Sequence, residues 1–313
     1  MSDGSGSAEA APADAAADAA SDPPPDAEDA SGPGPSAWAA ELAFAIDAAE
    51  AAGRVLMDRY ERLERVTYKS ARDVVTEADH LSEELVIRAI RERFPGDAIL
   101  AEESGSHDGR GGAANGGAGA TAAATASTVG RAWVIDPLDG TVNYANGLPM
   151  FCVSIGFVVD GRPVAGVVLD PTRNERYAAT ADGPATLNGR PIRVSTKEQL
   201  IDYVISLALA GRSVSSRARA IRKAVRVPRS MGSASLGLAY VANGRFDAFV
   251  QESGLSAWDI AAAGLIAERA GATVTAFDGS RWYDQARSTR TSGLVAAPPA
   301  FQARLLALAT GRA

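Results

Sequence analysis

Ala132-Trp133-Val134-Ile135-Asp136-Pro137-Leu138-Asp139-Gly140-Thr141 joins an apolar, strand-like run to a short acidic turn, so a strand is expected to end where a charged site begins. Two ionised carboxylates separated by two residues repel each other, and each loses hydration on burial. A divalent cation is the natural compensation, and hard oxygen ligands of this kind suit Mg²⁺, which keeps waters and shares its remaining positions with phosphate oxygens. The same letters also spell a type I turn with Asp first and Pro second, so this segment alone leaves both readings open.

Three further acidic segments lie at similar boundaries. Glu102-Glu103-Ser104 follows the apolar run Ala98-Ile99-Leu100-Ala101, again with carboxylates at an expected strand end. Trp258-Asp259-Ile260-Ala261-Ala262-Ala263-Gly264-Leu265-Ile266 puts Asp259 at the start of a helix-periodic run, where a lone Asp is commonly an N-cap or first-turn acid stabilising its helix by about 1 kcal/mol. Within Asp73-Val74-Val75-Thr76-Glu77-Ala78-Asp79, Thr76 and Asp79 have the spacing of a capping box that opens a second helix.

In this order the four segments resemble the inositol monophosphatase-like, Mg²⁺-dependent, lithium-sensitive phosphatases, whose pattern runs DxVTxxD, EES, DPxDGTxN plus an aromatic, and WDxAA. Asn143-Tyr144 supplies the end of the third motif, and the likeness covers roughly residues 38 to 310. It is specific for the superfamily rather than for a substrate. It implies an α+β fold, a layered αβαβα sandwich, acting as a homodimer. After a tail at 1–35, a subdomain at 36–195 would carry most metal ligands, and one at 196–313 would complete the site between them.

A phosphate monoester resists hydrolysis because a nucleophile must approach an anion, so catalysis needs positive charge, a placed water and a stabilised leaving oxygen. The resemblance assigns those tasks. Glu102, Asp136 and the Leu138 carbonyl would hold the first Mg²⁺ and Asp136, Asp139 and Asp259 the second, with two or three ions per site. Gly140 and Thr141 would cradle phosphate through backbone N–H groups at a helix start. The Thr141 hydroxyl, oriented by Asp79, would place the attacking water, and Glu102 would take its proton, with no covalent intermediate. Glu103 has no ligand role. Gly232-Ser233-Ala234 resembles the segment lining the polyol pocket, Asp139 would also face substrate, and Glu252, seven residues before Asp259, would bind a hydroxyl. Lys69 matches a mobile active-site lysine, while His80 and His107 are poor catalytic candidates.

The chain departs from the pattern at Ala101, Tyr144, Arg269 and Ala272. None removes a proposed ligand, but they leave the substrate open between inositol monophosphate and histidinol phosphate, fructose 1,6-bisphosphate or 3′-phosphoadenosine phosphates. A haloacid-dehalogenase-type phosphatase needs DxD, which Asp136 and Asp139 do not provide. A non-catalytic phosphometabolite binder would have no need of Glu102, Asp136, Asp139, Thr141 and Asp259 together.

Composition agrees with a soluble, cytoplasmic enzyme. The formal net charge of −7 comes without a basic, aromatic-laced stripe, which argues against nucleic acid, and no apolar run is long enough to span a membrane. Cys152 is the only cysteine, so no intrachain disulfide can form, and its apolar setting predicts a buried inert thiol. Residues 1–35 lack the apolar content to join a core and the basic start of a signal peptide, and Gly109 to Gly130 predicts a mobile Gly/Ala-rich loop.

Periodicity places helices at Trp38–Leu63 and after Thr76, the latter burying Leu81, Leu85, Ile87 and Ile90. Turn signals at Asp160-Gly161, Asp170-Pro171 and Asn188-Gly189 predict antiparallel sheet from Phe151 to Arg193. Beyond residue 200 the pattern is mixed, with helices near 213–224 and 234–242 and strands near Val204 and Phe249.

Overall fold

The apolar run before Asp136 forms a strand, but the strand does not stop at the acids: it extends from Arg131 through Asp139. The computed structural model describes residues 36–62, 66–70, 73–108, 130–210, 214–284 and 292–312. The expected tail at 1–35 and nearly all of the loop expected at 109–130 lie outside these residues, as does the side chain of Lys69.

Helix α1 (Ala39–Arg59) is followed by the antiparallel pair β1 (Val66–Ser70) and β2 (Asp73–Thr76), then by α2 (Glu77–Arg93). Next come β3 (Ala98–Ala101), β4 (Gly105–His107), β5 (Arg131–Asp139), α3 (Thr141–Ala145), β6 (Cys152–Val159), β7 (Arg162–Asp170), β8 (Glu175–Thr180), β9 (Thr186–Leu187) and β10 (Arg190–Pro191). The remainder comprises β11 (Val204–Ala208), α4 (Val214–Ala224), β12 (Val227–Arg229), α5 (Ala234–Ala242), β13 (Ala248–Leu255), α6 (Ala257–Arg269), β14 (Thr273–Ala276), β15 (Ser292–Ala297) and α7 (Pro299–Thr310).

Eight strands form one sheet in the order β10-β9-β8-β7-β6-β5-β3-β4, and five form another in the order β12-β11-β13-β15-β14. Helices α1 and α2 cover the outer face of the larger sheet, α5 and α6 pack against both sheets, and α4 and α7 pair on the far side of the smaller one. Each interface carries its own apolar cluster: Trp133, Ile155 and Phe157 under α1, Leu236, Ile260 and Phe249 around α5 and α6, and Ile205, Val250 and Leu305 beneath α7. The result is an αβαβα sandwich. The larger sheet ends at Pro191 and the smaller begins at Val204, either side of residue 195, and the described residues form one compact unit.

The antiparallel meander turns where its sequence signals lie. Asp160 and Gly161 both have positive φ between Val159 and Arg162, as do Asn188 and Gly189 between β9 and β10, which is the backbone that matches the twist of a two-residue hairpin. The helix packing differs in one respect. Leu81 is 37 % exposed and Leu85 and Ile87 are only half-buried, whereas Asp79, Ser82, Glu83, Val86 and Ile90 face inward. The difference is confined to Leu81: Ile90 lies in the core and Leu85 and Ile87 pack against it, while the first turns of α2 direct Asp79, Ser82 and Glu83 inward.

Candidate active site

Alternation alone would separate Asp136 from Asp139, because residues three apart in a regular strand point to opposite faces. The register removes the problem. Asp136 pairs with Ser154 and Asp139 with Cys152, so three steps along β5 match two along β6 and one extra residue bulges out. Pro137, which has no N–H to pair, sits in the bulge. Both carboxylates thus emerge on the face shared with Ser154, whose hydroxyl donates to the Trp258 carbonyl of α6 at 3.3 Å.

Helix α6 can come this close because β6 and β7 carry glycine, Gly156 and Gly166, where it crosses them. A Cβ on Gly156 would lie 2.8 Å from the Ala261 Cβ, and one on Gly166 would lie 2.7 Å from the Ala262 Cα. Asp259, at the third helical position, accepts the Ser256 amide of its own N-cap at 2.6 Å. Asp136, Asp139 and Asp259 each bring a carboxylate oxygen within 4.8 Å of the others. Asp139 Oδ2 also receives the Ser233 hydroxyl at 2.9 Å and the Ser235 amide at 2.5 Å, and the Ser235 hydroxyl donates to the Asp259 carbonyl at 2.8 Å. The segment expected to line a polyol pocket is therefore fastened to the acids, and Gly232 is required there, since with φ +74° its Cβ would meet the Asn143 side chain at 2.8 Å.

Glu102 arrives from the neighbouring strand. Its amide donates to the Ile135 carbonyl at 3.2 Å, extending the parallel pairing of β3 with β5 by one residue and setting Glu102 beside Asp136. It is not one of the three acids within 4.8 Å, but its carboxyl shares a hydrogen bond with Asp136. Asp79 serves two partners. Its Oδ2 accepts the Thr76 amide at 2.8 Å and hydroxyl at 2.6 Å, and its Oδ1 accepts the Thr141 hydroxyl at 3.1 Å. Thr141 Oγ1 also lies 3.0 Å from the Leu138 carbonyl, a proposed metal ligand and the alternative acceptor for its single hydroxyl proton. Gly140, φ +99°, turns β5 into α3, and a Cβ there would lie 2.8 Å from the Met150 carbonyl.

Glu252, expected to bind a substrate hydroxyl, is engaged by α4 and the segment before it. Its Oε1 lies 2.9 Å from Arg217 Nη1 and its Oε2 accepts the Ala210 amide at 2.8 Å, beside a cavity of about 380 Å³ lined by Phe277, Asp278 and Arg312. Glu252 lies where the pairing of β13 is irregular between Gln251 and Leu255, and its carboxylate pairs with Arg217 of α4. Cys152 is fully buried, and burial, then Asp139, pushes its thiol well up, as fits an inert core residue. His80 is exposed, and His107 bonds the Ser104 hydroxyl at 2.7 Å. Two contributors escaped the sequence reading: Ser82, whose hydroxyl donates to the Pro137 carbonyl at 3.1 Å, and Glu83, which accepts the Glu103 and Ser104 amides. Their i+3 and i+4 spacing from Asp79 was the available signal.

Burial and mutual repulsion set the electrostatics of the cluster. Burial, reinforced by the charges of Glu102, Asp139 and Asp259, pushes the Asp136 carboxyl well above the usual carboxylate range, and burial raises Asp139 against the opposing hydrogen bonds from Ser235 and Ser233. Asp79 rises to about 6, chiefly by burial, against its bonds to Thr76. Such an all-oxygen set of desolvated, mutually repelling acids fits a hard divalent cation.

A family model, the inositol monophosphatase family, matches residues 38–311. Among similar proteins, a "Nus factor SuhB" of Pseudomonas aeruginosa is 39% identical over 256 residues, 76% of this chain and 86% of that protein. An "Inositol-1-monophosphatase" of Mesorhizobium japonicum is 35% identical over 253 residues, 78% of this chain and 88% of the other. Among solved structures, an IMPase of Thermotoga maritima is 31% identical with a TM-score of 0.72, covering 87% of this chain and 97% of that one. Fold, acidic motifs and relatives agree: this chain belongs to the inositol monophosphatase family and is a phosphoric monoester hydrolase.

Proposed function

We propose that the enzyme is a Mg²⁺-dependent, lithium-sensitive phosphomonoesterase that hydrolyses a small polyol phosphate, inositol monophosphate foremost, by direct attack of water. The observation that carries this reading is the convergence of Asp136, Asp139 and Asp259 within 4.8 Å, with Glu102 against Asp136. Glu102, Asp136 and the Leu138 carbonyl would hold one cation, and Asp136, Asp139 and Asp259 another. When bound, the cations supply positive charge that offsets the phosphate and makes water a better nucleophile. Gly140 and Thr141 present the first amides of α3 to the phosphate. Ionised Asp79 holds the Thr141 hydroxyl by accepting its hydrogen bond, which turns the Thr141 oxygen lone pairs outward to accept from the attacking water. Glu102 is placed to take the proton that this water loses. The Gly232-Ser233-Ala234 segment, bound to Asp139, lines the place where the alcohol portion leaves.

The polyol preference is supported by the relative named Inositol-1-monophosphatase. We take the enzyme to act as a cytoplasmic homodimer with a small phosphorylated metabolite as its only substrate class; among the described residues no helix is long and apolar enough to cross a membrane. Phosphate release with Mg²⁺ from inositol monophosphate, histidinol phosphate, fructose 1,6-bisphosphate and 3′-phosphoadenosine phosphate tests the substrate. The first should lead by at least tenfold in kcat/KM, and a lead for any other displaces this reading. Undiminished turnover at high lithium would count against the proposed metal chemistry, and light scattering of the purified protein tests the dimer.

A further inference from the structure

Glu83 is buried, 4 % exposed, on the inward stripe of α2, one turn after Asp79. Its two carboxylate oxygens accept two consecutive amides at the end of β3: Oε2 takes Glu103 N and Oε1 takes Ser104 N, each at 2.9 Å. A carboxylate bridging adjacent amides fixes a turn more tightly than one bond does, because both the distance and the twist of the peptide are constrained. The residue immediately before those amides is Glu102. A buried carboxylate given over to the two amides that directly follow Glu102 is difficult to account for as a stability device alone. The same helix reaches the site twice more, through Asp79 to Thr141 and through Ser82 to the Pro137 carbonyl.

We propose that Glu83 is a positioning residue for the phosphatase reaction: by clamping the Glu103 and Ser104 amides, it sets the Glu102 carboxylate against Asp136 so that the two share one cation. This rests on the reading that Glu102 serves as a metal ligand. Glu83→Gln keeps one acceptor oxygen but turns an NH₂ toward the second amide, releasing half of the clamp. Calorimetric Mg²⁺ titration without substrate should then show affinity about tenfold or more weaker, as expected when a partner that orients a ligand is lost. kcat should fall at a fixed Mg²⁺ concentration, KM should stay near wild type, and the melting temperature of the metal-free protein should change little. Glu83→Asp, which keeps the charge but shortens the reach, should recover part of the affinity and carries the test if the Gln variant does not fold. Glu102→Gln, measured alongside, separates the two ideas. If it loses Mg²⁺ affinity while both Glu83 variants titrate like wild type, the clamp is irrelevant and the proposal is overturned. If Glu102→Gln itself binds Mg²⁺ and turns over normally, Glu83 has nothing to position and both readings fall.

Discussion

Asp79 and Asp259 hold the same post on two different helices: each is the third residue, and each accepts the amide of its own N-cap, Thr76 at 2.8 Å and Ser256 at 2.6 Å. A capping-box acid is thereby locked in one rotamer, so the structural role and the site role reinforce each other. Asp79 aims its free oxygen at Thr141, and Asp259 presents an oxygen to Asp136 and Asp139.

That double use makes Asp259→Asn informative. The amide side chain keeps an acceptor for the Ser256 N–H, so the metal-free melting temperature should stay within a few degrees of wild type, a cap being worth only about 1 kcal/mol in total. The lost charge should cost at least about a hundredfold in turnover and weaken Mg²⁺ binding. A variant that unfolds but binds Mg²⁺ normally would reduce Asp259 to a cap.

Asp136→Asn should be more severe catalytically and milder structurally. Asp136 touches both proposed cation positions, so activity should drop by about three orders of magnitude or more. Yet Asp136 is buried, with Glu102, Asp139 and Asp259 raising its pKa, so removing its charge relieves repulsion. Differential scanning fluorimetry without metal should show an unchanged or higher melting temperature. Near-normal turnover would refute the shared-ligand assignment.

The layers were legible because they rest on local signals: type I′ turns at Asp160-Gly161 and Asn188-Gly189, a capping box at Thr76, and apolar runs that became strands. The acids were legible as motifs, but the reason Asp136 and Asp139 meet was not. Their meeting depends on a bulge against Cys152 and Ser154, a pairing with a strand that no local spacing reveals. Leu81 was misjudged for a related reason, since the inward side of the first turns of α2 meets the Pro137 carbonyl and the Glu103 and Ser104 amides, all distant in sequence. Glu252 followed the family spacing, but the spacing could not show Arg217 waiting on α4.

Metal and pH should act against each other. Asp79 rises from an ordinary 3.8 to about 6, and Asp136 and Asp139 also rise, so the folded protein without metal prefers these groups protonated. Their favourable contribution is present below the unfolded value and lost as pH climbs through the folded ones, so between pH 3.8 and about 6 Asp79 makes the metal-free chain less stable with rising pH. Mg²⁺ requires the ionised forms, so the rise in melting temperature that it produces should be larger at about pH 7.5 than at about pH 5.5. An increment independent of pH would mean that the cation binds elsewhere.

The fit of α6 onto the sheet predicts sensitivity far from any charge. A methyl group on Gly166 would lie 2.7 Å from the Ala262 Cα and 2.9 Å from its Cβ, and neither atom can rotate away. Gly166→Ala should therefore lift α6, costing about 1–3 kcal/mol in denaturant unfolding, and should weaken Mg²⁺ binding by moving Asp259. Wild-type stability would show that the helix is looser than its packing implies.

Glu252 provides the sharpest test of how the alcohol is read. Its partner Arg217 is 11 % exposed and Glu252 itself 24 %, and the pair is joined at 2.9 Å, with the Ala210 amide completing the set. Glu252→Gln keeps an acceptor for that amide and gives up only the ion pair, so stability should fall by about 1 kcal/mol or less. Because the carboxylate is already committed to Arg217, turnover of inositol monophosphate and of a simple aryl phosphate should both stay within about twofold of wild type, whereas a hydroxyl-binding site that lost its charged acceptor would give up about tenfold or more on the polyol alone. A polyol-specific loss would show that Glu252 leaves Arg217 when substrate enters, and Arg217→Ala should then raise kcat/KM for the polyol by freeing the acceptor in advance.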